Sequence, residues 1–150
     1  MRLSDFFDHR AISLALTGGT RDQVLTEMAG LLGVDERAQS TILRLVQRRE
    51  QLGSTGIGRG VAVPHCRTLV VGRLRVAFGR HQQGIDFDAL DRYPVTSVFL
   101  IVAPPAEVGN HYLPVLGKIA QLAKDEDVPE RLARLNSVEE FLALLDEKTA

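Results

Sequence analysis

His65 is the strongest candidate for chemistry in this chain. It directly follows Pro64, at the end of the short apolar run Val61-Ala62-Val63. Behind it lies a loop of closely spaced glycines, Gly53-Ser54-Thr55-Gly56-Ile57-Gly58-Arg59-Gly60. Pro64 fixes its own φ and biases Val63 toward extended backbone, so the imidazole is presented from a stiff base. Strand ends are also where α/β proteins place reactive groups. The glycines let backbone amides approach an oxyanion, and Ser54 and Thr55 add hydroxyl donors. Between Glu50 and Asp86 no acidic residue occurs, whereas Arg59, Arg67, Arg73, Arg75 and Arg80 do. Forked guanidinium donors around a histidine suit a bound phosphate. Arg73, Arg75 and Arg80 read more simply as solvated arginines on strand edges, and the glycine loop alone as a tight turn.

Other chemistries fit less well. Cys66 adjoins His65, but neighbours in extended chain point to opposite faces, which disfavours a thiol–imidazole pair. The four histidines, His9, His65, His81 and His111, show no zinc-ligand spacing, so no metal is expected. The glycine loop lacks the terminal Gly-Lys-Ser/Thr of a phosphate-binding P-loop. It also lacks the strand–turn–helix setting of a dinucleotide fingerprint. Asp86 and Asp88 read as a solvated turn.

The elements that must position His65 are legible in outline. Thr20-Arg21-Asp22-Gln23 is a capping box, followed by Val24, Leu25, Met28, Leu31 and Leu32 at helical spacing up to Gly33. Asp35 caps a second helix carrying Ile42, Leu43, Leu45 and Val46, which ends before Gly53. Val61-Ala62-Val63 is a short strand stopped by Pro64. Leu74 to Phe78 alternates as a half-buried strand does, and Gly84 to Asp88 is an extended turn. Val95 to Val102 is a continuous β-branched and aromatic run, expected to be a central strand buried on both faces. His111 to Lys124 forms a helix with Pro114 in its first turn. Pro129 starts a short helix, and Ser137-Val138-Glu139-Glu140 caps a terminal one. The order helix, helix, strands, helix, helix predicts an α/β or α+β fold with a mixed sheet between helices.

Composition bounds the function. A chain of 150 residues is one ordinary domain, here residues 1–150, and 45% apolar with 25% charged residues excludes disorder. Net charge is −1, so sequence-independent nucleic-acid binding is not expected. The one cysteine cannot form an internal disulfide, and no secretory leader or span of ~20 apolar residues occurs. The expected location is the cytoplasm.

One resemblance unites these features. Glu50, six residues, Ile57-Gly58, two residues, then Val61-Ala62-Val63-Pro64-His65-Cys66 resembles the phosphohistidine signature of type-2 enzyme IIA domains. These are phosphocarriers of the phosphoenolpyruvate-dependent phosphotransferase system, in the mannitol/fructose and nitrogen-regulatory (PtsN-like) class. Arg48-Arg49-Glu50, Gly84-Ile85-Asp86-Phe87, Asn110-His111 and the terminal Ser-x-Glu-Glu helix extend the match over nearly the whole chain. The chain departs from the pattern in four places: Cys66 stands where Gly or Ala is common, Arg67 adds charge, Tyr112 replaces an aliphatic residue, and Pro104-Pro105-Ala106 makes a stiff loop before it.

The resemblance implies an α/β fold with a mixed five-stranded sheet flanked by helices on both faces. It implies that His65 accepts a phosphoryl group from a phospho-HPr donor, with His111 and Arg49 beside it and no cofactor. A neutral imidazole is nucleophilic near pH 7, and its phosphoramidate stays reactive enough to transfer onward. Ser54, Thr55 and Arg67 are the expected phosphate contacts. The acceptor is either a IIB protein, in sugar uptake, or a regulatory target. No IIB or IIC segment is fused to the sequence, which leans the expectation toward regulation. The rival from another class is a binding module that senses anions or proteins through the glycine loop, Arg59 and Arg67.

Overall fold

The computed structural model describes residues 2–107 and 109–149. A 3-10 turn over Leu3–Phe6 leads into β1 (Phe7–Ser13), α1 (Arg21–Gly30) and α2 (Glu36–Leu52). Three short strands follow, β2 (Gly56–Gly58), β3 (Val61–Ala62) and β4 (His65–Arg67), then the long β5 (Arg75–Ile85) and β6 (Val95–Ala103). The chain ends in α3 (Tyr112–Ala123), α4 (Val128–Ala133) and α5 (Val138–Thr149).

β6 is the spine, as its unbroken apolar run predicts. The sheet order is β1-β5-β6-β3-β2, with β4 also paired to β6. β3 and β4 are both parallel to β6 and keep one register along it, Val61 opposite Ser97 and His65 opposite Ile101. The six strands therefore occupy five positions across the sheet. The sheet is mixed, because β5–β6 and β2–β3 are antiparallel while β1–β5 is parallel.

Alternation along β6 builds two cores. Val98, Leu100 and Val102 pack with Val24, Leu25, Met28, Ile42 and Val46 of α1 and α2. Phe99, Ile101 and Ala103 face the other way, onto Val115, Ile119, Phe141 and Leu144 of α3 and α5. Phe78 stacks on Phe141 at 4.2 Å between ring centroids, and Phe7 meets the same ring edge-on at 5.3 Å. Each fully buried aromatic or aliphatic side chain contributes about 1.5–3 kcal/mol relative to exposure.

The helix starts follow the predicted caps. Thr20 accepts from the Gln23 amide, Asp35 from Ala38 and Ser137 from Glu140. In both capping boxes the returning side chain reaches one residue further back than expected: Gln23 accepts from the Gly19 N–H and Glu140 from the Asn136 N–H.

Three expectations are corrected. A strand, β1, precedes the first helix. Its exposed centre Asp8-His9-Arg10 and an irregular register against β5 erase the alternation by which strands are recognised. The glycine loop contains a strand, β2, that closes a hairpin with β3 through Arg59 and Gly60, both at positive φ. Arg80 is not solvated. It is buried and its guanidinium donates to the carbonyls of Leu14, Leu132, Ala133 and Leu135. Arg75 is likewise half-buried, donating to the Leu32 carbonyl at 3.2 Å, whereas Arg73 is exposed as expected.

The Arg80 guanidinium ties the C-terminal end of α4 to the segment after β1. Arg80→Ala is expected to destabilise the fold by about 3 kcal/mol, because it strands buried carbonyls. Arg80→Lys is expected to recover little of this, since a single ammonium cannot span both segments. Urea denaturation of the three proteins checks both expectations.

Candidate functional site

Pro64 divides one line of strand into β3 and β4 and so sets the position of His65. Its own carbonyl accepts from the Ile101 amide at 3.0 Å, holding the break against β6. His65, the first residue of β4, lies on the same side of the sheet as Ile101 and Val63, facing α3. Its Nδ1 lies 2.7 Å from the Val63 carbonyl. A carbonyl only accepts, so Nδ1 carries a proton, and in the neutral ring Nε2 is then the nitrogen with the lone pair. The ring is half-buried, a partly open position for a nucleophile.

α3 supplies the wall opposite. Tyr112 at its first turn places its ring 6.4 Å from that of His65. The Arg67 guanidinium stacks over Tyr112 at 4.3 Å and donates to the Pro105 carbonyl. Burial pushes the Tyr112 phenol up from its ordinary value, against the pull of the Arg67 and Arg49 cations. Arg49, in the last turn of α2, donates to the Gly53 carbonyl at 2.7 Å. Its charge thus sits at the mouth of the glycine loop, within electrostatic reach of Tyr112.

His111 is the N-cap residue of α3 and packs edge-on against Phe6 at 5.1 Å. Glu107 fixes this helix end, its carboxylate accepting from the His111 and Tyr112 amides at 2.7 and 2.9 Å. Gly109 lies under the ring with φ +97°, and a Cβ there would stand 3.1 Å from the His111 imidazole. Only glycine meets both demands.

The hydroxyls expected to face a phosphate have partners inside the protein. Ser54 Oγ donates to the Phe87 carbonyl and accepts from the Gly56 amide. Thr55 is buried, with its hydroxyl and amide both donated to the buried Glu50 carboxylate. Arg59, a candidate anion ligand in the binding-module reading, is committed elsewhere. It donates to the Ala123, Lys124 and Glu126 carbonyls at the far end of α3. Among the described residues, no cluster of three or more His, Cys, Asp or Glu is placed to hold a metal ion, and no helix is long and apolar enough to cross a membrane.

The model of "Phosphoenolpyruvate-dependent sugar phosphotransferase system, EIIA 2" matches residues 5–148. The chain belongs to this EIIA type-2 family. A nitrogen regulatory protein of Bradyrhizobium diazoefficiens is 33% identical over 97% of this chain and 95% of its own. The crystal structure of nitrogen regulatory protein IIA-Ntr from Neisseria meningitidis superposes with a TM-score of 0.86, at 32% identity, over 95% of this chain and 98% of that one. Enzyme IIAMTL of Escherichia coli, solved in complex with phosphorylated enzyme IIBMTL, gives a TM-score of 0.74 at 25% identity, over 93% and 96% of the two chains. The architecture is that of the EIIA type-2 fold, and the likeness spans regulatory and sugar-specific members alike.

Within this EIIA domain the structure gathers His65, Arg67 and Tyr112, with Arg49 and His111 on the two elements that frame them. Sequence reasoning missed Glu107. A carboxylate a few residues ahead of an uncapped helix start was the available signal. It also assigned no task to Glu50 beyond its place in the motif.

Cys66 faces the α1–α2 core, opposite His65, and burial pushes its thiol up to about 11. Less thiolate is therefore present at any pH below that value. At pH 8, iodoacetamide is expected to alkylate native Cys66 about a hundredfold more slowly than in the urea-unfolded chain. Mass spectrometry over time checks this.

Proposed function

We propose that this EIIA type-2 chain is a cytoplasmic phosphohistidine carrier. A phospho-HPr-type protein delivers a phosphoryl group to Nε2 of His65, and the group then passes on. The observation that carries the reading is the hydrogen bond from Nδ1 to the Val63 carbonyl, which leaves Nε2 as the free lone pair on a half-exposed ring. In the transfer the N–P bond of the donor breaks as the Nε2–P bond forms. The proton on Nδ1 stays where it is, and the carbonyl offsets positive charge building on the ring. Such transfers ask the protein mainly to position groups and balance oxygen charge. Arg49 and Arg67 supply that charge, and His111 supplies a hydrogen bond. Ser54 and Thr55 act on the phosphate through the loop shape that their internal hydrogen bonds hold.

The use of the carrier is read from the nitrogen-regulatory relatives, two of which this chain matches over 95% or more of both lengths. Its phosphorylation state then sets binding to a protein target. The second reading is a sugar-specific IIA that hands the group to a IIB partner. The likeness to enzyme IIAMTL, seen in complex with phosphorylated enzyme IIBMTL, favours keeping it.

Phosphotransfer from phosphoenolpyruvate through enzyme I and HPr tests the proposal. The wild type is expected to gain one acid-labile, alkali-stable phosphate per chain, and His65→Ala none. The phosphorus spectrum is expected to place it on Nε2. Arg49→Ala is expected to slow the transfer about a hundred- to a thousandfold, the usual scale for a lost charge-stabilising donor. A wild type that stays unlabelled with several HPr donors hands the case to the binding module.

A further inference from the structure

We infer that Glu50 is the positioning residue that keeps His65 in its reactive tautomer, by withholding one backbone N–H from the Val63 carbonyl. The inference rests on the phosphocarrier reading of His65 and assigns a task to a group that never touches it. α2 buries a stripe of Ala38, Ile42, Val46 and Glu50, each four residues after the last. The last member breaks the apolar pattern with a carboxyl group that is only 3% exposed. Burying a carboxylate is costly unless donors surround it. Glu50 has them: Oε2 accepts from the Thr55 amide at 3.1 Å, Oε1 from the Thr55 hydroxyl, and Arg21 lies 3.8 Å away.

The consequence appears one rung along the hairpin. Gly56 lies opposite Ala62 in the antiparallel β2–β3 pair, so Thr55 lies opposite Val63. Residues facing each other in a hydrogen-bonded rung of such a ladder normally exchange two bonds. Here one is made, from the Val63 N–H to the Thr55 carbonyl at 3.0 Å. The other half is split between two side chains. The Thr55 N–H turns to Glu50 at 3.1 Å, and the Val63 carbonyl receives His65 Nδ1 at 2.7 Å. Were Glu50 unable to hold it, the Thr55 N–H would compete with the imidazole for the Val63 carbonyl. The ring would then gain freedom to carry its proton on Nε2, where it blocks attack.

Three variants of similar side-chain size test this: Glu50→Met, which removes the acceptor, Thr55→Val and Thr55→Ser. The first readout is the tautomer of His65 in the unphosphorylated protein, from long-range 1H–15N imidazole spectra. The second is the rate of phosphoryl uptake from phospho-HPr. Wild type and T55S are expected to show the Nδ1–H signature and similar rates. E50M and T55V are expected to raise the Nε2–H population and slow uptake about tenfold, the scale of lost outer-layer orientation. Folded E50M and T55V proteins with the wild-type tautomer and rate would overturn the inference. So would a wild type without the Nδ1–H signature. A wild type that keeps the signature, loses it in E50M and T55V, and yet accepts no phosphate refutes the carrier reading alone and upholds the positioning by Glu50.

Discussion

The hydrogen bond between His65 Nδ1 and the Val63 carbonyl requires a carbonyl that the sheet has left unspent, and the local chain produces one in an unusual way. Along β3 and β4 the line of strand continues, so the carbonyl of Pro64 serves β6 while that of Val63 turns to the opposite side. On that side the hairpin partner still accepts the Val63 N–H at its Thr55 carbonyl, but its own amide is diverted to a carboxylate. A sheet edge usually presents its spare acceptors to water. Here the acceptor is directed at an imidazole two residues later, and the stiffness of Val63-Pro64 keeps the two in place.

The opposite wall is held by comparable means. α3 begins at the site and runs back to the turn of the β2–β3 hairpin, and both of its ends are met by long side chains from elsewhere. Glu107 brings negative charge to the amides of its first turn, and Arg59 brings positive charge to the carbonyls beyond its last. Both match the helix dipole, each contributing roughly 0.3–1 kcal/mol where exposed. Between them the apolar face of α3 packs on Phe99 and Ile101 of β6. Tyr112 and His111 are thus carried on an element fixed at two ends and along one side.

Much of this was legible in the residues, for identifiable reasons. Helix caps are local chemistry, so Thr20, Asp35 and Ser137 marked their helices correctly. The run from Val95 to Val102 announced a strand buried on both faces because almost every side chain is apolar. β1 was illegible because its middle residues are polar and its pairing irregular. β2 was illegible because glycines carry no alternation to read. Arg80 and Glu50 were misjudged or left unassigned for one shared reason. A buried charged side chain is recognised by partners distant in sequence, such as Leu14 and Leu135, or by a loop that folds back on it. His65 stood out from its stiff base and glycine-rich approach, whereas Tyr112 entered the site only through the packing of α3.

A carrier of an activated group has to hold it against its own reactive side chains, and Cys66 is the nearest threat in sequence. In the proposed carrier, a thiolate beside a phosphohistidine would be the nearest internal nucleophile. Strand alternation turns the sulfur to the other face of the sheet, and burial keeps it protonated. A phosphoryl group carried on His65, as proposed, would be insulated from this neighbour, and its discharge would be left to a protein that presents an acceptor from outside.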